Sequence, residues 1–330
     1  MKSYIDKEEV CCALCESCES IGVAMGVDRE YPTSTDTFSI VSCRGCGLRY
    51  LNPRPKTHEL STIYPANYHA YNIRAAGSPH KSLPYVTRLR HKIYSRRFRK
   101  VFSKLTAQSS VELLDVGCGD GWMLDLYKLA APCPITTYGV DFNAEVCKVA
   151  ESFGHQTFCS RFEDLQLTGR FNIVNLSHVI EHVSDPLLIA RKSFEVLRPG
   201  GLFVLETPNT DTFDARIFEK GAWGAYHIPR HWNLFDESTL RKLGEKAGFK
   251  FLEVIYNPAP VHWVWSLNNL SVQAGGVFGA IGQNFFSPLD VFSDSFKAFL
   301  LLSFGTVLDL FLKLTTGKTS NMMMIFKKES

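Results

Sequence analysis

From residue 111 onward the sequence alternates short apolar runs with helically spaced ones, and this constrains the fold more than any other feature. VELLDVG, TTYGVDF, QTFCS, FNIVNLSH and GLFVLETP have the length and apolar density of buried strands. WMLDLYKLA, NAEVCKVAESFG and the stretch from Pro186 to Leu197 read as helices. Strands and helices in alternation build βαβ units and hence a parallel sheet covered on both faces. Five strands in this order predict an open, doubly wound α/β sheet. Beyond Pro208 comes an aromatic, histidine-rich loop, then a helix that opens at Asp236 and ends near Gly248. FKFLEVIYN reads as a sixth strand and MMMIFKK as the last, leaving 257–320 as an apolar helical insertion between them.

The turn after the first strand, VELLDVGCGDGW, carries Gly117, Gly119 and Gly121. Glycine there lets backbone approach a ligand at the carboxyl edge of the sheet, where open α/β folds bind. The third glycine of the dinucleotide fingerprint is out of place, and Asp115 stands at the strand end. That carboxylate disfavours a pyrophosphate and favours a positively charged ligand. The second strand ends at Asp141, suited to accept from two ribose hydroxyls or to cap the next helix.

A formal net charge of +3, with 21% charged residues, argues against a bulk nucleic-acid binder. The charge is uneven, because no acid lies between Glu59 and Glu112, a window that holds Arg74, Lys81, Arg88, Arg90, Lys92, Arg96, Arg97, Arg99, Lys100 and Lys104. Apolar residues at helical spacing from Tyr85 to Leu105 place most of these cations on an amphipathic helix. The first residues, MKSYIDKEEVCC, have no apolar core of a secretory signal, so a cytoplasmic, reducing location is expected, with the ten cysteines as thiols rather than disulfides. AFLLLSFGTVLDLFLKL, residues 298–314, is interrupted by Asp309 and bracketed by Lys297 and Lys313, which favours a buried or surface-lying helix over a span. Four sections follow: 1–56, cysteine- and turn-rich; 57–108, helical and basic; 109–330, the α/β domain; and within it the insertion at 257–320.

LLDVGCGDG, GVDFN, FEDL, LSHVIEHVSDP and LRPGG, in this order, resemble the class I S-adenosylmethionine-dependent methyltransferases over roughly 111–256. The resemblance implies a Rossmann-like seven-stranded sheet with a reversed last strand. It implies that Asp115, Gly117, Cys118, Gly119 and Gly121 line the methionine half of the cofactor, with Ser177 close by. Asp141 and Phe142 would serve the ribose side, and Phe162, Glu163 and Asp164 the adenine.

Cys12-Ala-Leu-Cys15 and Cys43-Arg-Gly-Cys46 each have the spacing that lets two thiolates reach one ion from a tight knuckle. Two such knuckles predict a structural zinc bound by Cys12, Cys15, Cys43 and Cys46. Cys18 repeats the spacing from Cys15, and Cys11 and Cys18 are otherwise read as spare buried thiols. The run from CALCES to VSCRGCGLRYLNPRP resembles the zinc-ribbon front end of bacterial methyltransferases of sugar, glycan and small-molecule tailoring. Four thiolates leave no open coordination position, so this zinc would organise the domain rather than react.

LSHVIEHVSDP places His178 just past the fourth strand, with Glu181 and His182 one turn on. The stretch resembles the ubiquinone-type O-methyltransferases, in which a carboxylate followed by Glu-His is linked to a divalent metal; here His178 stands where that first carboxylate would be. Three readings stay open: His178 as base or substrate ligand, a metal triad, and a turn supported by Glu181 and His182. A second cluster, His227, Arg230, His231 and Trp232 in AYHIPRHWNLF, reads either as a lid that brings His231 to the site or as a packed loop. No Asn/Asp-Pro-Pro-Tyr motif follows the fourth strand, which counts against methylation of a DNA base amine.

These features describe methyl transfer to oxygen or carbon of a small-molecule, sugar or lipid-linked acceptor. A ubiquinone-type quinol O-methyltransferase and a non-catalytic module binding S-adenosylmethionine and zinc are the alternatives. The basic helix and the apolar 261–314 segment suit contact with the inner face of a membrane, a homodimer interface or ordinary core; no nucleic-acid partner is expected.

Overall fold

The computed structural model describes residues 4–65, 68, 84–288, 290–292 and 295–329, with the side chains of 84–91 and 292 outside that description. Arg74 and Lys81 therefore lie outside the described residues, as do the side chains of Arg88 and Arg90.

The N-terminal part contains β1 (Lys7–Glu8), β2 (Ser20–Gly26), β3 (Phe38–Cys43), β4 (Arg49–Leu51), β5 (Arg54–Pro55) and a single helical turn, α1 (Leu60–Ile63). The basic helix is α2 (Pro84–Phe102). The α/β part follows as β6 (Val111–Val116), α3 (Trp122–Ala130), β7 (Ile135–Asp141), α4 (Ala144–Ser152), β8 (Gln156–Cys159), β9 (Phe171–Ser177), α5 (Pro186–Val196) and β10 (Leu197–Pro208). After it come α6 (Phe213–Ile217), β11 (Asn233–Leu234), α7 (Glu237–Lys246), β12 (Lys250–Asn257), α8 (Pro260–Ala274), α9 (Gly276–Phe285), α10 (Phe296–Thr316) and β13 (Asn321–Lys327).

Seven strands form one sheet in the order β12-β13-β10-β9-β6-β7-β8. β13 runs antiparallel to β10 and β12, while β10, β9, β6, β7 and β8 pair in parallel. This is the Rossmann-like sheet with a reversed last strand that the motifs imply. Local chemistry sets the helix starts: Asn143 caps α4, Asp185 caps α5 ahead of Pro186, and Asp236 with Thr239 forms a capping box on α7. β9 is buried nearly throughout, as a central parallel strand covered on both faces must be. One sheet face packs under α2 and α3, where Phe98 and Tyr127 stack with centroids 3.9 Å apart.

The small sheet has the order β11-β4-β3-β2, so a strand from the far side of the α/β part completes it. Asn233 pairs with Tyr50 and Leu234 with Arg49. Cys12, Leu14 and Cys43 share one apolar cluster with the large sheet. One sequence expectation fails in this region and one open choice is decided. Cys11 and Cys18 are joined in a disulfide and are exposed, so they are neither thiols nor buried. The knuckle between them folds Cys12 and Cys15 inward, which leaves its outer flanks side by side. The segment from Gly221 to Phe235 is buried at every residue, so it is a packed layer between the small sheet and α8, not a lid.

The insertion between β12 and β13 consists of α8, α9 and α10. By length and composition α10 is apolar enough to cross a membrane. It is nevertheless fastened along the body, because the Asp309 carboxylate accepts from Ala259 N at 2.6 Å and from Trp263 Nε1 at 2.9 Å.

Candidate functional site

β6, β7 and β9 end side by side at the carboxyl edge of the sheet. Gly117 and Gly119 have φ of +70° and +51°, which L side chains rarely adopt. A Cβ on Gly117 would strike Val179 at 2.7 Å, whereas one on Gly119 would meet nothing within 4 Å: the backbone borders open space there. Asp141 holds this turn, its Oδ2 accepting from Gly119 N at 3.2 Å and its Oδ1 from Asn143 N at 3.0 Å. Asp141 therefore does not cap the next helix, a role that Asn143 fills, and its carboxylate orders the glycine turn at the sheet edge instead.

Asp115 is buried and accepts from Asn175 Nδ2 at 2.7 Å, while Asn175 Oδ1 accepts from the Tyr127 hydroxyl at 2.9 Å. Burial, with the Asp141 charge adding to it, pushes the Asp115 carboxyl up to about 7 despite that hydrogen bond. Burial also raises Asp141. Two adjacent carboxyls strained toward neutrality beside an open glycine turn fit a cationic, hydroxyl-bearing ligand, which is the chemistry of S-adenosylmethionine.

The remaining expected residues divide. Phe142 is 72% exposed at the edge and Asp164 is exposed, while Glu163 pairs with Arg161. Phe162 is 4% exposed within the core. The Cys118 side chain is turned into the sheet, where a Cβ on Gly139 would overlap it, so only the backbone of Cys118 faces the turn. The Ser177 hydroxyl donates to Glu206 at 3.1 Å. Sequence reasoning missed Glu206, which also accepts from Asn321 Nδ2 at 2.6 Å and from the Arg97 guanidinium. Arg97 is thus a buried partner on the basic helix, not part of its solvated face. A glutamate inside the apolar run GLFVLETP was the available signal, since a buried charge requires a partner.

At the end of β9, His178 sits at φ +55° with its ring 44% exposed. Its Nδ1 lies 3.1 Å from Glu181 Oε1, and Glu181 is fully buried. Burial raises the Glu181 carboxyl, but the His178 hydrogen bond and the charges of His178, His182 and His231 outweigh it and bring it to about 2. Glu181 is therefore ionised, and a carboxylate at Nδ1 leaves Nε2 of His178 as the acceptor nitrogen.

The second cluster meets the first. Backbone N–H groups of Trp232 and Asn233 donate to Glu181 O at 2.8 and 3.0 Å. His231 Nε2 stands 4.0 Å from Glu181, and the His182 and His231 rings lie 4.6 Å apart. Burial holds both histidines below the usual imidazole range; His231 Nδ1 donates to Ala225 O at 2.8 Å. Glu181, His182 and His231 bring ligand atoms within 4.8 Å of one another. This grouping differs from the metal triad that is one of the three open readings, because His231 takes the place of His178 in it. Behind them His227 pairs with buried Glu30 and stacks on Trp265 at 5.4 Å. Arg230 is locked to Asp28 by two parallel hydrogen bonds of 3.0 and 2.8 Å.

In the small sheet, Cys12 and Cys46 sulfurs are 3.4 Å apart, as are those of Cys15 and Cys43, and all four lie within 4.8 Å of one another. Zinc–thiolate bonds of about 2.3 Å require sulfurs about 3.8 Å apart, so the set fits a closed tetrahedral zinc ribbon. A cavity of about 490 Å³ opens between this ribbon and the start of α5, lined by Tyr50, Arg54, Arg191 and Trp232 among others; it includes none of the strand-end residues above.

A family model described as a methyltransferase domain matches residues 86–254. The chain is similar to a ubiquinone biosynthesis O-methyltransferase of Cereibacter sphaeroides, 30% identical over 245 residues, 68% of this chain and 98% of that one. It is also similar to one of a Bradyrhizobium species, 32% identical over 191 residues, covering 51% of this chain and 71% of the relative. A solved structure of the cyclopropane synthase MmaA2 from Mycobacterium tuberculosis aligns with a TM-score of 0.45 at 14% identity, over 78% of this chain and 89% of that one.

Proposed function

This chain belongs to the class I S-adenosylmethionine-dependent methyltransferases, and from that premise we propose that it methylates a hydroxyl oxygen on a small-molecule acceptor with a sugar or lipid part. The cofactor supplies, when bound, an electrophilic methyl group on a sulfonium. Asp115 and the turn from Gly117 to Gly121 hold its methionine half, Asp141 and Phe142 the ribose side, and the turn from Phe162 to Asp164 the adenine, with Ser177 alongside.

The observation that carries the reading is the pairing of His178 with Glu181. Methyl transfer to a hydroxyl needs a group that removes its proton. His178 has a half-exposed ring at the strand end next to β6, a tautomer set by Glu181 at Nδ1, and an Nε2 with no hydrogen bond among the described residues. Glu181 stabilises the imidazolium formed when that nitrogen takes the proton. His231 and His182, both held below the usual imidazole range by burial, line the same wall, with His231 Nε2 4.0 Å from the glutamate. Cys12, Cys15, Cys43 and Cys46 would hold a zinc that organises the ribbon, which meets this wall through the pairing of β4 with β11. An acidic carbon acceptor makes the same demand for a base. The names of the relatives favour a second reading, in which the hydroxyl is that of a quinol.

The test is a labelled-methyl transfer screen against sugar nucleotides, lipid extracts and quinols. Transfer is expected to a hydroxyl-bearing acceptor and to be lost in His178→Ala; equal turnover by that variant on the true acceptor overturns the assignment of the base.

A further inference from the structure

α9 and α10 both pack on α8, and Lys297 at the start of α10 reaches Asn284 O at the end of α9, so the two helices share one outer layer. That layer is covered with bare apolar side chains: Phe278 and Leu314 are 89% and 88% exposed, and Val277, Phe296, Phe304 and Phe311 all exceed half. Among the described residues, ten large apolar side chains from Val277 to Leu314 are more than half exposed, a density beyond the singly scattered apolar residues of an ordinary soluble surface.

We infer that this outer face of α9 and α10 is a docking surface for an anionic lipid bilayer. Charge distinguishes this occupant from a protein. No Asp, Glu, Lys or Arg occurs between Glu253 and Asp290. On α10 Lys297 and Lys313 stand in the first and last turns, Lys297 paired with Asp290 at 2.7 Å and Lys313 donating to Tyr256 O at 2.6 Å, and the acid of the helix, Asp309, is turned inward to Ala259 and Trp263. The face offers phenyl and aliphatic groups with few hydrogen-bonding side chains, whereas protein interfaces carry Tyr, Trp and Arg anchors with polar rims. Acyl chains ask for no hydrogen bonds, and exposed cations beside the face, Lys313 among them, meet phosphate headgroups. α2 adds exposed Lys92, Arg96 and Arg99. Its Arg97 lies against Met323, the register partner of Ile255, and its Lys100 and Lys104 reach Glu253. α2 therefore begins toward the end of β12 from which α8 departs.

The helix lies on the membrane and does not cross it. Gly305 sits so close to Pro260 that a Cβ would come within 2.9 Å, and Leu312 belongs to the core beneath. α8, under the face, carries the Trp265 that stacks on His227. On the hydroxyl-transfer reading proposed above, this layer would present an acceptor with a long apolar tail to the histidine wall; the docking itself does not depend on that reading.

The test is flotation of the full chain with vesicles of phosphatidylglycerol and phosphatidylcholine in equal parts, and with phosphatidylcholine alone, for the wild type and for the triple variant Phe278→Gln, Phe304→Gln, Leu314→Gln. The wild type is expected to float with the anionic vesicles and less with the neutral ones, and the variant to partition about a hundred-fold more weakly. Calorimetric S-adenosylmethionine binding, expected to be unchanged in the variant, verifies its fold and separates failure of docking from failure of the methyltransferase reading. Absence of wild-type flotation, or equal flotation by a variant that binds cofactor normally, overturns the inference. So does a wild-type dimer that the variant splits while neither associates with lipid, which would make the face a self-association surface.

Discussion

His178 Nδ1 lies 3.1 Å from the Oε1 atom of the fully buried Glu181 carboxylate. The pair joins the end of β9, at the carboxyl edge of the sheet, to the histidine wall behind it. His178→Ala should lower turnover by about a hundred-fold or more, and Glu181→Gln by a similar order, with cofactor affinity retained in both. Glu181, depressed in the folded chain to about 2, stabilises the fold fully above its ordinary value of 4.5 and loses that contribution as pH falls toward 2. Acid titration followed by fluorescence should therefore show Glu181→Gln less sensitive than the wild type across that window. An unchanged acid profile would count against the ionised, buried carboxylate.

Asp115 makes the opposite prediction. Raised to about 7 from 3.8, it stabilises the ligand-free fold most below 3.8, and that contribution is lost as pH rises through about 7. A cationic ligand selects the ionised form, so S-adenosylmethionine affinity should rise with pH through about 7, by up to about tenfold per unit on the acid side. Calorimetry should show this slope in the wild type and a flat, weaker affinity in Asp115→Asn. Asp141→Ala should abolish measurable binding, because its carboxylate holds the Gly119 turn.

Zinc removal should reach beyond the ribbon. β4 carries Tyr50, paired with Asn233, whose backbone N–H holds Glu181 O. Cys43→Ser is expected to lose zinc by elemental analysis, to destabilise residues 1–56, and to reduce methyl transfer while the large sheet keeps its circular-dichroism signature. Full activity in a zinc-free chain would show that the ribbon does not position the site.

The Arg230–Asp28 pair is buried on both sides, with neither side chain exposed. Burial raises the Asp28 carboxyl, but the Arg230 hydrogen bonds outweigh it and lower it below 3.8. Asp28→Ala leaves a buried guanidinium unpaired and should cost about 3–5 kcal/mol in urea unfolding. Replacing both partners by apolar residues of similar size should recover much of that loss. Additive losses from the two single changes would indicate that the residues are not coupled.

How much of this was legible depends on sequence distance. The strand and helix order, the glycine turn and the strand-end acids are local patterns of three to twelve residues, and the structure carries them in the order read. His178 and Glu181 lie in one turn and were found together. Glu206 and Arg97 were not, because an amphipathic pattern assigns cations to the solvated side unless the opposing buried acid is already known.

Sequence alone determined the sheet: period, caps and glycines act through backbone geometry over a few residues, whatever the rest of the chain does. It also determined the four-thiol set, since each knuckle is local. Only the tertiary structure decided that β11 crosses to the small sheet, that the histidine-rich loop is a packed layer rather than a lid, and that His231 rather than His178 completes the cluster with Glu181 and His182. These are contacts across about fifty or more residues, selected by the burial of apolar surface and the satisfaction of buried polar groups together, and no short window of sequence encodes which partners that selection brings together.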